Sequence, residues 1–376
     1  MARIIAAFDS FKGSLTSREA GEAFRRGVLR VMPEADVRVL SIADGGEGMA
    51  EAVYDSIGGE IVTTTVSDPI GRAIEASYLI AANGTTAVVA MSAASGLTLL
   101  SPEELNPLIT STYGTGELIL DAARRGCKHI IVGLGGSATN DGGSGMLHAL
   151  GYRFYDTNNQ ELTSTIDILE HVAHISTKGR SYLLNGIHLT AAVDVDNPLY
   201  GECGAAHVFA HQKGADSSMI VRLDTALRHY AEVVDMDGAM VAGAGAAGGL
   251  GYALHSLLGA EIRSGIDVVL TLLDFDNVAR DADIIVTGEG ALDSQSLHGK
   301  APMGVLRHAQ QLGIPVIAIG GKVSNSEELT KAGFSRVYAI TPEGQPLEEA
   351  MQCEVATKNI ERLAAELFKG SVPLKS

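Results

Sequence analysis

The sequence predicts an α/β protein of two domains. At both chain ends, in residues 1–66 and 282–376, strand-like apolar runs alternate with helical stretches and glycine-rich loops. Antiparallel signals, above all the turn dipeptide NG at 83–84, fill the region between them. We therefore predict a Rossmann-like, doubly wound parallel sheet built from residues 1–66 plus 282–376. Residues 67–281 are expected to form an inserted mixed α/β domain with glycine-rich phosphate loops, and the active site is expected in the cleft between the domains.

Length, composition and charge limit the class of protein. The chain has 376 residues, of which 46% are hydrophobic, so about two domains with large cores are expected. A net charge of −17 argues against nucleic acid or an anionic membrane as a partner. Three widely spaced cysteines favour a reducing compartment. No apolar stretch is long enough to span a membrane, so the expected location is the cytoplasm.

The chain begins with two successive βα units. An apolar strand at residues 3–8 ends at Asp9, and a second strand at 37–42 ends just before Asp44. Both aspartates thus follow the carboxyl ends of strands, which is where ligands of open α/β sheets bind. Taken singly, each aspartate is better explained by a turn or a helix cap.

The remaining elements are predicted from periodicity and turn signals. Thr16 and Glu19 form a capping box at the start of a helix that ends near Met32. Further strands are predicted at residues 61–66, 73–80, 86–91, 129–132, 188–193, 283–286, 315–319 and 336–340, and further helices at 112–125, 146–150, 218–234, 305–312, 326–332 and 347–368. A hairpin is predicted at 151–162, with its tip at 158–159.

A glycine-rich run at residues 133–145 (GLGGSATNDGGSG) lies between a predicted strand and a short helix. Such a run lets backbone N–H groups approach a phosphate and places a helix N-terminus behind them. A tight turn inside an α/β domain explains an isolated run about equally well. Four further loops of the same style in this chain favour the phosphate interpretation.

Nucleotide-binding fingerprints are present only in weak forms. Residues 243–248 fit GxGxxG but lack a convincing strand before them, and residues 133–138 fit GxGxxA without the acidic residue expected about 20 residues later. A Walker A motif is absent, because Gly299 and Lys300 are followed by Ala301 rather than Ser or Thr. An NAD site is therefore a minor alternative.

Carboxylates and lysines in the loops carry more information. Acidic residues lie in glycine-rich or strand-end loops at Asp9, Asp44, Glu47, Asp141, Asp194, Asp196, Glu289 and Asp293, and lysines in similar contexts at Lys12, Lys213 and Lys300. Phosphoryl transfer requires this combination, because lysines and backbone donors hold phosphate oxygens, while carboxylates hold Mg²⁺ and accept the proton of the attacking hydroxyl. The residues alone thus predict a phosphate-handling α/β enzyme.

Several motifs occur together in one order along the chain. They are residues 9–14 (DSFKGS), 43–48 (ADGGEG), 112–119 (TYGTGELI), 135–143 (GGSATNDGG), 194–198 (DVDNP), 248–251 (GGLG), 287–290 (TGEG) and 299–300 (GK). As a set they resemble the bacterial glycerate kinase family, of the glycerate 2-kinase type found in glucarate, galactarate and glyoxylate pathways. The resemblance covers essentially the whole chain. It implies ATP-dependent phosphorylation of (R)-glycerate at the 2-hydroxyl, giving 2-phosphoglycerate and ADP, with Mg²⁺ as the metal.

The resemblance and the loop chemistry together suggest roles for individual residues. The predicted catalytic residues are Asp194 as general base, Lys12 and Asp44. The residues predicted to bind ATP are Gly135, Gly136, Ser137, Asn140, Asp141, Gly142 and Lys300. Those predicted to bind glycerate are Ser10, Lys12, Asp44, Glu47, Arg72 and Asp293, and those predicted to hold Mg²⁺ are Glu289 and Asp293. Asp44 competes for either carboxylate role. One departure is Ala291, since many relatives carry Arg there; Lys300 or Arg72 would then supply the missing cation.

Other functions stay open at this point. The same kinase could give 3-phosphoglycerate, since the two hydroxyls of glycerate differ only in pose. An NAD-dependent oxidoreductase and a non-catalytic two-domain sensor are the alternatives from other classes. The expected partners are glycerate and ATP, with neither nucleic acid nor membrane, and a homodimer is compatible with the sequence.

Overall fold

The computed structural model describes residues 1–46, 48–293, 296 and 300–370. The strands are β1 Arg3–Phe8, β2 Asp36–Ser41, β3 Gly59–Ser67, β4 Ala73–Ala81, β5 Thr86–Ala90, β6 His129–Gly133, β7 Arg153–Tyr155, β8 Glu161–Leu162, β9 His174–Ser176, β10 His188–Val193, β11 Glu261–Ser264, β12 Ile284–Leu292, β13 Val316–Val323 and β14 Arg336–Ala339. The α-helices are α1 Ser17–Val31, α2 Met49–Ile57, α3 Ser92–Ser95, α4 Tyr113–Arg124, α5 Ser144–Ala149, α6 Thr165–His171, α7 Ala205–Phe209, α8 Ser217–Val234, α9 Ala246–Leu258, α10 Gly265–Leu272, α11 Phe275–Ala279, α12 Ala301–Leu312, α13 Ser326–Ala332, α14 Leu347–Ala350 and α15 Cys353–Phe368.

The chain divides into two compact units. Unit 1 takes the described residues of Met1–Asp44, Glu51–Gly58 and Gly265–Ser376, and unit 2 those of Gly45–Ala50 and Gly59–Ser264. Each unit has its own sheet and its own hydrophobic core.

Unit 1 contains a parallel five-stranded sheet in the order β14-β13-β12-β1-β2. From β1 the chain moves to β2 on one side, whereas β12, β13 and β14 extend the sheet on the other side. The strand order therefore reverses between β1 and β12, which makes that crevice the topological switch point. This sheet, built from both chain ends, confirms the predicted α/β class.

Aromatic packing joins the sheet of unit 1 to α1 and α15. The Phe8 and Phe24 rings meet edge to face with centroids 5.5 Å apart, and Phe24 meets Phe368 at 6.1 Å. Gly27 lets α15 come close, because a Cβ at this position would lie 2.4 Å from the Glu361 carbonyl oxygen. The predicted capping box at Thr16 is present, so α1 begins where the sequence indicates.

Unit 2 combines parallel and antiparallel pairing in one six-stranded sheet, in the order β11-β10-β6-β5-β4-β3. Strands β3, β4 and β5 are antiparallel, as their hairpin signals predict, and the other pairs are parallel. Strands β8, β7 and β9 form a separate small sheet that includes the predicted hairpin.

The boundaries of the units differ from the predicted domain boundaries at both places. Strand β3 pairs with β4 along its whole length, so residues 59–67 lie in unit 2 rather than at the end of the first domain. Helices α10 and α11 lie in unit 1, before the predicted boundary at residue 282.

The predicted terminal helix at 347–368 is two helices. Helix α14 ends at Ala350, and α15 begins at Cys353 after Gln352, whose backbone is extended (φ −62°, ψ 131°). Neither glycine nor proline marks this break, so the sequence pattern reads as continuous.

Candidate functional site

Unit 1 has a cavity of about 360 Å³ at the carboxyl ends of its strands. Residues at or just beyond the ends of all five strands line it: Asp44 after β2, Asp9 and Ser10 after β1, Glu289 on β12, Lys322 on β13, and Ile340 and Thr341 after β14. Its volume falls within the range of small-molecule sites. Because the cavity spans the switch point between β1 and β12, it occupies the usual ligand position of an open α/β sheet.

Carboxylates concentrate at the switch point. Asp9 ends β1, Glu289 lies on the neighbouring β12, and both line the cavity together with Asp44. Burial, and next the negative charge of Asp44, raise the pKa of Asp9 from 3.8 to about 7. That value already includes a smaller increase from the Glu289 carboxylate and the opposing effects of the Ser10 N–H, which donates at 2.6 Å, and of the Lys12 charge. A carboxyl with this pKa can accept or release a proton near neutral pH.

Glu289 is held by two neighbours. The Ser296 hydroxyl donates to Oε1 at 2.7 Å, and Lys300 Nζ lies 3.5 Å from Oε2. Burial raises the pKa of Glu289, while Ser296 and Lys300 oppose that shift. Lys300 is also the N-cap residue of α12, so its backbone lies at the start of that helix.

Three lysines line the same cavity, namely Lys12, Lys300 and Lys322. They supply positive charge next to the carboxylates in an otherwise acidic chain. Ala291 also lines the cavity, and it contributes only a methyl group there.

The glycine-rich run of unit 2 is fixed by Asp141, whose side chain is fully buried. Its Oδ2 accepts from Thr112 N at 2.8 Å, Thr112 Oγ1 at 2.7 Å and Gly145 N at 3.1 Å, and its Oδ1 accepts from Gly143 N at 3.0 Å. Burial raises the pKa of Asp141, and these hydrogen bonds oppose that shift. Asp141 thus uses its carboxylate to hold backbone donors of the loop in place.

Lys213 reaches the same run from a 3₁₀ turn at His211–Lys213. It is only 1% exposed, and its Nζ donates to Ser137 Oγ at 2.8 Å and to the Thr139 carbonyl oxygen at 2.6 Å. Burial lowers the pKa of Lys213 to about 7, although Asp141 favours the charged form. The sequence marks Lys213 as one of three loop lysines suited to phosphate chemistry but assigns it no specific role.

Asn140 directly precedes Asp141 in the sequence and is fully buried. Neither its amide nitrogen nor its amide oxygen has a hydrogen-bond partner among the residues that the structure describes. Buried polar groups in folded proteins are usually paired with protein or water. Asn140 therefore keeps hydrogen-bonding capacity for water or a ligand.

The predicted site residues fall into two groups. Asp9, which was singled out only as a loop carboxylate, shares the cavity of unit 1 with the predicted Ser10, Lys12, Asp44, Glu289 and Lys300. Asp293 follows β12 in the same unit and is partly buried. The other predicted residues lie in unit 2, namely Gly135, Gly136, Ser137, Asn140, Asp141, Gly142, Arg72 and Asp194. Glu47 lies outside the described residues.

Two residues of unit 2 occupy contrasting positions. Arg72 donates to Asp68 and, at 2.7 Å, to Glu104, so its guanidinium is already engaged by carboxylates. Asp194 follows β10 directly and is exposed. Gly136 is also exposed, whereas residues 137–147 are buried.

The dinucleotide fingerprint at 243–248 has no strand in front of it. The element that precedes it is a 3₁₀ turn at Gly238–Met240, and Ala247, Gly248 and Gly249 adopt left-handed backbone angles inside α9. A Rossmann fingerprint needs a strand, a tight turn and a helix in succession. The NAD alternative therefore loses this support.

The residues of the unit 1 cavity fit a magnesium ion in their chemistry. Mg²⁺ is usually bound by one or two carboxylates, waters and substrate phosphates, and Asp9, Asp44 and Glu289 offer hard oxygen donors. Among the described residues, no group of three or more His, Cys, Asp and Glu side chains has the arrangement of a complete metal site.

A membrane-spanning helix needs a long apolar stretch, and none of the helices in the part of the chain that the structure describes has one.

Comparisons with a family model, with related sequences and with a solved structure all lead to the same family. A model of the Glycerate kinase family matches residues 4–371. A Bacillus subtilis protein named glycerate kinase is 43% identical over 370 residues, which cover 97% of this chain and 96% of the relative. The Escherichia coli glycerate 2-kinase is 41% identical over 355 residues, covering 93% of each chain. The crystal structure of a Salmonella typhimurium LT2 protein designated glycerate kinase 2 matches with a TM-score of 0.87 at 41% identity, covering 98% of this chain and 97% of that chain.

Proposed function

Because the chain belongs to the glycerate kinase family, we propose that it transfers the terminal phosphoryl group of ATP to (R)-glycerate. The proposed acceptor is the 2-hydroxyl, which gives 2-phosphoglycerate and ADP. The observation that supports this chemistry most directly is the cavity at the switch point of unit 1, where carboxylates and lysines face the same space. Kinase activity follows from membership of the family, whereas the choice of the 2-hydroxyl as acceptor is the part that we propose.

Lysines and carboxylates of the cavity have separate tasks in this proposal. Lys12 and Lys300 neutralise phosphate oxygens, and the N-terminus of α12 next to Lys300 adds favourable partial charge. Ser10 and Asp44 bind hydroxyl groups of glycerate. Positioning and charge neutralisation account for most of the rate enhancement in phosphoryl transfer, so these contacts carry the catalysis.

The general base is one of two aspartates. Asp194 remains the predicted base, because it follows the end of β10 and is exposed to solvent. Asp9 is the alternative that the geometry of unit 1 supports, since it lines the cavity and has a pKa of about 7. A base works best when its pKa lies near the working pH.

Magnesium belongs to the proposal as the partner of ATP. Glu289 and Asp293 are the predicted ligands, and Asp9 and Asp44 are the other carboxylates of unit 1 that fit the role. When bound, Mg²⁺ would neutralise charge that develops on the phosphate oxygens. Ser296 and Lys300 already contact the Glu289 carboxylate, so these two residues would set its orientation when an ion binds.

The glycine-rich run of unit 2 is proposed as a second phosphate-binding element. Gly136 offers the exposed part of the run, and Lys213 fixes the shape of the loop through Ser137 and Thr139. Asn140 contributes a buried amide with unused hydrogen-bonding capacity among the described residues. Arg72, Glu47 and Asp293 remain proposed contacts of glycerate.

We also infer that the protein works in the cytoplasm. ATP is its proposed co-substrate, and Cys127, Cys203 and Cys353 are all free thiols. Free cysteines persist in a reducing compartment.

Phosphorus NMR of the purified protein with ATP, Mg²⁺ and D-glycerate tests the proposal. A 2-phosphoglycerate resonance that grows with the ADP resonances is the expected result. A 3-phosphoglycerate resonance would keep the kinase and overturn the proposed carbon. ATP that stays intact in the presence of glycerate would contradict the function itself.

A further inference from the structure

The lining of the unit 1 cavity has two ends, because the strand order places Asp44 after β2 at one edge of the sheet and Ile340 after β14 at the other. One end holds the carboxylates and Lys12 and Lys300, as described above. The other end is lined by buried Ile340, Ala350 and Ala356, with Lys322 and Thr341 as the polar residues on this side of the sheet. Its rim is formed by Leu347 and Met351, which are 65% and 40% exposed. The lining of the cavity therefore becomes more apolar toward the β14 edge of the sheet.

Glycerate does not account for the apolar end. It is a three-carbon hydroxy acid with a polar group on every carbon, so it has no apolar surface to cover the rim side chains. A cavity of about 360 Å³ is also in the size range of drug-sized ligands. Leaving Leu347 and Met351 open to water costs free energy that an apolar ligand surface would recover. A ligand that carries such a surface would therefore gain free energy at this end.

Two segments of the chain approach each other at the apolar end. On one side, Phe11 and Leu15 close a tight turn, with Phe11 N donating to the Leu15 carbonyl oxygen at 2.8 Å. Gly13 within this turn has a φ of 75°, and a Cβ placed there would lie 3.1 Å from the Met351 methyl carbon. On the other side stands the break between α14 and α15. Met351 thus lies next to Gly13 and lines the cavity, and thioethers pack well against aromatic rings.

We propose that the apolar end of this cavity, lined by Ile340, Leu347 and Met351, binds the nucleobase of ATP. The phosphates then point along the cavity toward Lys12 and Lys300. A nucleotide has the same polarity as the cavity, with a flat heteroaromatic ring at one end and a polyphosphate at the other. This inference rests on the proposed function for the identity of the nucleotide, but the experiments below detect the base independently of turnover.

Photolabelling with 8-azido-ATP locates the base directly. Cleavage by trypsin after Arg336 and Lys358 releases residues 337–358, which contain the whole apolar end. The glycine-rich run of unit 2 falls in the separate fragment 129–153, between Lys128 and Arg153. We expect the label in 337–358, and we expect excess ATP to abolish it. Labelling confined to 129–153, or to any other fragment, would overturn the proposal.

Steady-state kinetics give a second test. Leu347→Ser removes apolar surface at an exposed position, so folding should be preserved, and the expected result is a KM for ATP raised about 3- to 10-fold with the KM for glycerate unchanged. Val221→Ser is the matched control, because Val221 is 60% exposed on α8 of unit 2 and should leave both values unchanged. A rise in the KM for glycerate instead, or no change in either value, would refute the nucleobase assignment.

The two proposals fail in distinguishable ways. If fragment 337–358 is labelled but phosphorus NMR detects no phosphoglycerate, the nucleobase site stands and the proposed reaction falls. If phosphoglycerate forms but the label lies elsewhere, the reaction stands and the nucleobase site falls.

Discussion

Asp9→Asn is expected to stabilise the protein above neutral pH while it lowers activity. The substitution keeps the shape of the side chain and an acceptor for the Ser10 N–H, but it removes a negative charge that faces Asp44 and Glu289. Burial and this repulsion raise the pKa of Asp9 from 3.8 to about 7. Groups that serve a ligand are commonly held at some cost to stability.

The magnitude follows from that pKa difference. At about 1.4 kcal/mol per pH unit, ionising Asp9 in the folded protein costs about 4 kcal/mol relative to the unfolded chain. Solvent relaxation and the new amide N–H₂ group reduce the gain, so we expect about 1–3 kcal/mol for Asp9→Asn. The corresponding rise in Tm is a few degrees.

The pH dependence has a definite sign. Below about pH 4 Asp9 is protonated in both states, so the variant should have no advantage. Between pH 4 and 7 the unfolded chain releases this proton first, and the wild-type protein therefore loses stability as pH rises. Above pH 7 both states are ionised, and the difference should stay constant.

Calorimetric or circular-dichroism melts from pH 4.5 to 8.5 measure this difference. The control is Glu34→Gln, which neutralises an exposed carboxylate of the same unit and should shift Tm by less than a degree or so. A Tm for Asp9→Asn that equals or falls below that of the wild type at pH 8 would refute the electrostatic reasoning. So would an advantage that does not depend on pH.

Three further substitutions test other parts of the structure. The pKa of Lys213 is about 7 in the folded protein and 10.5 in the unfolded chain, so the wild type gains stability as pH rises from 7 to 10. Lys213→Met lacks this gain, and its Tm should fall further below that of the wild type across this range. Thermal melts from pH 7 to 10 measure the difference. Gly27→Ala should lower the free energy of unfolding by about 1–3 kcal/mol, although helix propensity favours alanine. Urea unfolding measures this change, and a variant more stable than the wild type would disprove the close approach of α15. Asp194→Asn should lower kcat roughly 10²- to 10⁴-fold with an unchanged circular-dichroism spectrum, and near-normal turnover would exclude Asp194 as the base.

Much of the architecture could be predicted because local signals and tertiary structure agree. Alternating strands and helices with glycine loops at both chain ends predicted the parallel sheet of unit 1, and the Asn83–Gly84 turn predicted the antiparallel strands of unit 2. Strand β11 was missed because Glu261–Ser264 is short and half polar, and only its pairing with β10 makes it a strand. The domain boundary could not be predicted for the same reason, because the pairing of β3 with β4 is visible only in the tertiary structure.

The sequence predicts the type of site better than it predicts which residues the fold brings together there. The motifs predicted the glycerate kinase family, which the family match confirms. They also marked Asp9 only as one loop carboxylate among several. Its raised pKa depends first on burial and then on Asp44 and Glu289, which lie at strands far apart in the sequence. Likewise, the apolar end of the cavity depends on the break between α14 and α15, for which the sequence has no glycine or proline signal.

The glycine-rich run of unit 2 shows why residue type alone overstates ligand contacts. A Cβ at Gly143 would lie 2.4 Å from the Ala253 Cβ, and one at Gly248 would lie 2.1 Å from the Thr139 carbonyl oxygen. The two glycine-rich segments therefore need their glycines to pack against each other, and Gly142 N donates to the Gly248 carbonyl oxygen at 3.0 Å. Since packing explains these glycines, their number is weak evidence for a phosphate. The phosphate hypothesis for unit 2 then depends on the exposed Gly136 and the buried Asn140 amide, which are the positions where mutation should separate binding from folding.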